Sequence, residues 1–362
     1  MSNLQIGLAI AGGVILAAVV AHSAWSARKN QPKLATPKTP AVEPAKTPPH
    51  NDLAGRLEPS FDNDSGLGGL NSFALLPSLE KKPGLDALID VIAPVAVDDE
   101  VSGEAALAAM PTTRRAGSKP FGVEGLNVAT GEWEMPIAHQ RYRTFQCGVQ
   151  LANRLGALNQ IEYSEFVMKT QAFADAVGGE PEFPEMGDEV ARARELDQFA
   201  NAHDAQLSFT LCALSTAWSP GYVAQNAARI GFVAGAIPGR MVLPANEREA
   251  SAVTPRSGGP VLGLAFDTQA AMAEDPEQTA LRELTLTLDV PQVSRAEQPF
   301  VRMREAAAAL AASMGGAVMD DNGNPITSDA MDVIGSELEQ LYDTLDERDL
   351  SAGSVLARRL FS

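Results

Sequence analysis

The same stripe of apolar residues occurs twice in the chain. Tyr163, Phe166, Phe173 and Val177 are followed by Gly178 and Gly179, and 137 residues later Phe300, Met303, Leu310 and Met314 are followed by Gly315 and Gly316. Offsets of 0, 3, 10 and 14 fall on one face of a helix, and a glycine just beyond the stripe supplies the left-handed cap that ends it. A repeat at this spacing predicts a fold built from two similar units. Each predicted helix follows an alternating, strand-like segment. In residues 142–151, Phe145, Cys147, Val149 and Leu151 alternate with polar partners; in residues 284–290, Leu284, Leu286 and Leu288 alternate with Thr285, Thr287 and Asp289. Each double glycine is followed by a short acidic stretch (180–183 and 318–321) and a second helical pattern (189–201 and 328–348). The last of these carries Met331, Ile334, Leu338, Leu341 and Leu345 on one face.

Other segments fit the same plan. Residues 86–95 carry the β-branched run of a strand and mark where folded sequence starts. Leu207, Phe209 and Leu211 alternate with Ser208, Thr210 and Cys212; Ser219 and Pro220 then read as the N-cap and first residue of a helix ending near Arg229. Further strands are predicted at 231–233, 241–243 and 261–266, and a polar loop at 246–260. The order of elements predicts an α+β fold, with helices on one face of a mainly antiparallel sheet. The other face is left to water or to a partner.

Ahead of the fold, residues 4–25 contain no Asp, Glu, Lys or Arg and are long enough to cross a bilayer core of about 30 Å as a helix. Met1, Ser2 and Asn3 carry no side-chain charge, whereas Arg28, Lys29, Lys33, Lys38 and Lys46 follow, an asymmetry that puts the rest of the chain in the cytoplasm. Small residues at Ala21, Ser23, Ala24 and Ala27 raise the alternative of a cleaved signal peptide, but such a peptide needs its positive charge before the apolar stretch. Residues 1–27 therefore read as an uncleaved anchor. Six prolines between 31 and 50, then a Gly-, Ser- and Asp-rich stretch, make 28–84 a spacer without a core of its own. The folded units are expected at 85–201 and 202–348, followed by a tail at 349–362.

Composition narrows the function. With 46 acidic against 28 basic residues in 362, the net charge is −18, which argues against general nucleic-acid binding. Cys147 and Cys212 form no disulfide framework and read as packed strand residues, and the four histidines are too scattered for a zinc site. Residues 320–324 begin like a calcium loop, but Pro325 and Met331 stand where the loop's glycine and final carboxylate belong. No set of side chains reads as catalytic, and no cofactor is implied. A tethered sheet with one wet face suggests a recruitment adaptor; a membrane-tethered small-ligand sensor built from duplicated α+β units is the alternative.

A family resemblance sharpens the adaptor reading. Ile230, Gly231 and Phe232 after the first helix of the second unit, Asp289, Val290 and Pro291 closing a strand, the run MGGAVMDD at 314–321, and Pro325, Ile326 and Thr327 before the last helix occur in this order behind an anchor. In this the chain resembles the ZipA family of cell-division proteins, most specifically over about 206–348. The resemblance implies a split β-α-β domain, here in two tandem diverged copies, and a single-pass protein of the bacterial inner membrane at the division septum. It implies a shallow groove on the helix-free sheet face that binds the C-terminal tail peptide of FtsZ, with other divisome proteins as further partners. By position it points to Ser208, Thr210, Ile237, Met241, Leu264, Phe266, Thr285 and Thr287. Thr287 stands where the family has a large aromatic, and Ser208 and Thr210 where it has apolar residues, so the groove is expected to be more polar than usual.

Overall fold

The computed structural model describes residues 84–245, 259–320 and 323–362. The expected anchor at 4–25 and nearly all of the expected spacer lie outside them. Among the described residues, no helix is long and apolar enough to cross a membrane.

The described residues form an α+β structure with two six-stranded antiparallel sheets. The first half contains β1 (Asp90–Ser102), α1 (Gly103–Ala109), β2 (Arg115–Ala116), β3 (Lys119–Asn127), β4 (Trp133–Glu134) and β5 (Arg141–Gln150). A small hairpin, β6 (Ala152–Asn153) with β7 (Gly156–Ala157), leads to α2 (Gln160–Val177), β8 (Gly179–Pro181) and α3 (Met186–His203). The second half contains β9 (Gln206–Ala213), α4 (Pro220–Arg229), β10 (Val233–Ala234), β11 (Arg240–Leu243), β12 (Leu262–Ala265) and α5 (Thr268–Ala271). It ends with β13 (Glu283–Asp289), α6 (Pro299–Met314), β14 (Gly316–Met319), α7 (Ser328–Asp346) and α8 (Val355–Leu360).

The sheets run β2-β3-β5-β1-β8, with β4 also on β3, and β10-β11-β12-β13-β9-β14. In both, the strand that opens the half lies between the strand preceding the long helix and a short edge strand following it. Those edge strands, β8 and β14, begin at the double glycines, where the sequence suggested only an acidic connection.

Both double-glycine helices end as their glycines predict. Gly178 and Gly315 are the C-caps of α2 and α6, each at φ 69°. A Cβ at Gly178 would meet nothing within 4 Å, so an alanine there pays only for its left-handed backbone. Gly178→Ala is therefore expected to cost about 1–2 kcal/mol in urea unfolding. At Gly316 the constraint is space: a Cβ would lie 2.9 Å from the Trp218 ring and 3.0 Å from the Cys212 carbonyl. Trp218 is itself fully buried and donates from its indole N–H to the Met314 carbonyl at 3.0 Å.

In each half the helices cover one sheet face. Phe121, Phe145, Phe166 and Phe173 pack between the first sheet and α2; Phe209, Leu286, Phe300, Met303 and Leu310 pack beneath the second. Ile89, Ala152, Phe199 and Ala200 from the first half belong to the second core. So do Leu360 and Phe361, which seat α8 against both halves. Arg359 of α8 reaches the fully buried Asp90, and Arg154 pairs with Asp204 and Asp289.

Candidate functional site

Strand alternation gives the second sheet two unlike faces. Phe209, Leu211, Leu284, Leu286 and Leu288 point into the core. The residues between them form rows across the opposite face. Ser208 pairs with Thr287, Thr287 with Gly263, Gly263 with Val242, and Val242 with Val233. In the next row Met319 pairs with Thr210, Thr210 with Thr285, Thr285 with Ala265, and Ala265 with Arg240. Cys212, flanked by Glu283 and Ala317, begins a third row.

The middle of this face is therefore floored by small side chains. At Gly263 smallness is required, because a Cβ would lie 2.6 Å from Thr287 Oγ1. Toward one end the floor deepens into a cavity of about 460 Å3 bounded by residues 265–267 and 280–285. Phe266, half-buried, lines this cavity and also packs against the core, forming its apolar rim. The turn at Gly239 (φ 77°) rests against the Phe266 carbonyl and Ala271; Ile237 in that turn is 52% exposed and Met272, just after α5, is 69% exposed.

Of the residues expected at a groove, Ser208, Thr210, Thr285 and Thr287 share the helix-free face as adjacent pairs. Ile237 precedes β11 and Phe266 follows β12, so neither lies on a strand. Met241 and Leu264 face the other way: they pair with one another, and both are buried in the core. The outward residues of their strands are Arg240, Val242, Gly263 and Ala265, which the sequence reading missed. The signal available was strict alternation carried across from Thr285 and Thr287.

Neither cysteine is disulfide-bonded. Burial pushes the Cys147 thiol up to about 12. Burial, and secondarily the Glu283 carboxylate, raises that of Cys212, so both favour the unreactive thiol. Among the described residues, no group of three or more His, Cys, Asp and Glu could hold a metal ion.

Among the described residues, a sheet with helices on one face and a trough of small residues on the other is a geometry that can receive a chain segment. Residues 269–337 match the family model described as ZipA, C-terminal FtsZ-binding domain. This is the family already suggested by the residues at 289–291, 314–321 and 325–327. The matched stretch holds β13, α6, β14 and the first half of α7; it contains Thr285 and Thr287, while the other six residues expected at the groove lie before it. No curated protein matches the chain.

Proposed function

We propose that the chain is a cell-division adaptor that holds FtsZ filaments at the cytoplasmic membrane by docking the FtsZ C-terminal tail in the trough of the second sheet. The observation that carries this reading is the match over 269–337, which falls on the strand and helix at the centre of a sheet whose other face carries no helix among the described residues. Ser208, Thr210, Thr285 and Thr287, with Gly263 and Ala265, form the floor, and Ile237, Phe266 and Met272 offer apolar anchorage. Small floor residues let a peptide backbone lie close to the sheet, and the rim receives its apolar side chains.

In the same proposal, residues 1–27 anchor the protein at the inner membrane with its amino terminus outside, and 28–84 form the spacer. The two halves are diverged copies of one split β-α-β unit, a reading supported by their shared strand order and repeated helix caps. Weak tail contacts, multiplied along a filament and confined to the membrane, add through avidity.

The test is fluorescence anisotropy of a labelled FtsZ tail peptide titrated with the detergent-solubilised chain. Saturable binding is expected, weakened at least about tenfold, or about 1.4 kcal/mol, by Ile237→Asp or Phe266→Ala. Ile237 is exposed, so its variant is expected to keep the unfolding midpoint. Absence of saturation with the unmodified chain overturns the proposal.

A further inference from the structure

The helix-free face of the first sheet is already occupied. On the other side of that sheet, Val91, Ala93, Val95, Phe145, Cys147 and Val149 face the helices. Their neighbours form a helix-free row in which Ile92 pairs with Gly148 and Gly148 with Gly122. The next row joins Pro94, Gln146 and Glu124.

The chain enters by folding back over these rows. Ile89 and Asp90 both donate their N–H to the Asp86 carbonyl, at 3.1 and 2.8 Å, and the turn lays Gly84 and Leu85 across the sheet. A Cβ at Gly148 would sit 2.6 Å from Leu85 Cδ2, and its three nearest atoms all belong to the Leu85 side chain. At Gly122 the same methyl carbon is 3.5 Å away. Glycine inside a strand gives up packing and often marks a close approach by something else, and here two lie side by side beneath one leucine.

The backbone of this segment is held from both directions. Leu85 donates its N–H to Glu124 Oε1 at 3.1 Å, and the Gly84 carbonyl accepts from Arg359 Nη1 at 3.0 Å. The second Glu124 oxygen accepts from Gln146 Nε2 at 2.8 Å, which fixes the carboxylate. Gly84 is exposed and Leu85 half-buried, while Glu124 beneath them is only 9% exposed. A hole for one side chain, an acceptor for one N–H and a donor for one carbonyl are the elements of a peptide site.

We propose that this face is a slot for a leucine-bearing peptide, closed in cis by the chain's own Gly84 and Leu85. The inference stands apart from what the second sheet binds. Among the described residues, it gives the protein one uncovered and one self-occupied sheet face. Release of Leu85 opens a second docking face.

The test uses the detergent-solubilised full chain and a labelled synthetic peptide of residues 81–87. A tethered occupant acts at an effective concentration on the order of 1 mM, so the unmodified chain is expected to show no saturable binding below that level. Leu85→Gly empties the hole, and saturable binding of the peptide is expected to appear. Adding Gly148→Ala to Leu85→Gly refills the hole and is expected to abolish binding; with Leu85 truncated, the new methyl has space. In the otherwise unmodified chain, Gly148→Ala is expected to expel the leucine and speed amide exchange at Leu85 at least about tenfold. Failure of the Leu85→Gly chain to bind the peptide, or equal binding of a peptide whose leucine is replaced by glycine, overturns the slot. So does unchanged exchange at Leu85 in the Gly148→Ala chain.

Discussion

Replacing Arg359 with alanine is expected to lower the free energy of unfolding by about 3–5 kcal/mol at neutral pH, because it strands a buried carboxylate. Asp90 is fully buried at the start of β1. One of its oxygens accepts from Arg359 Nη2, and the other from the Asp86 N–H at 2.8 Å. The same guanidinium donates to the Gly84 carbonyl, so it grips the chain entry with two nitrogens in a way that a lysine cannot match. Removal also loosens α8, whose Leu360 and Phe361 belong to the second core.

The pH dependence separates the lost ion pair from lost packing. Burial raises the Asp90 carboxyl above its ordinary value, while the hydrogen bond and charge of Arg359 oppose the rise. A carboxyl whose folded pKa lies above its unfolded one binds protons more readily in the folded state, so its contribution to stability falls as pH rises through that window. Removing Arg359 pushes the folded value higher and widens the window upward. The deficit of Arg359→Ala in urea unfolding is therefore expected to be larger near pH 7 than near about pH 4, where Asp90 is closer to neutral in both chains. Adding Asp90→Asn should recover part of the loss at the higher pH. Equal deficits at both pH values would assign the whole effect to packing.

Features that repeat locally could be read from the sequence, and features that depend on distant partners could not. The stripes ending at Gly178 and Gly315 gave α2 and α6, and Ser219 with Pro220 gave the start of α4, because periodicity and caps are written within a few residues. Strand β3 escaped because Gly122 and Gly125 interrupt its alternation. Gly125 is needed because a Cβ there would lie 2.5 Å from the Tyr142 ring, and Gly122 lies under Leu85. Helix α8 is six residues long, too short for a period to show, and the partner of Arg359 is 269 residues away. At the candidate site, alternation correctly grouped Ser208 with Thr210 and Thr285 with Thr287. The resemblance, carried over by position, failed at Met241 and Leu264, and alternation could not correct it because β11 and β12 are four residues long with apolar residues of both parities. Which parity faces outward is set by pairing with β13.

That choice of parity leads to the sharpest test of the trough, carried by two neighbours on one strand. Leu264 is 1% exposed and sits in the core, so Leu264→Ala is expected to cost about 2–5 kcal/mol in urea unfolding. Tail affinity, measured where the variant is still folded, is expected to change little. Ala265 lies on the opposite face, half-buried between Arg240 and Thr285 and bordering the cavity. Ala265→Arg places a long charged side chain along the floor and is expected to weaken binding of the FtsZ tail peptide at least about tenfold. Its stability should stay within about 0.5 kcal/mol of the unmodified chain, since the new side chain extends from an existing Cβ on the open side. A one-residue slip in register exchanges the two faces completely. If Ala265→Arg unfolds the protein while Leu264→Ala weakens the tail without destabilising the fold, the binding surface is the row containing Met241 and Leu264. The small-residue trough then loses its role.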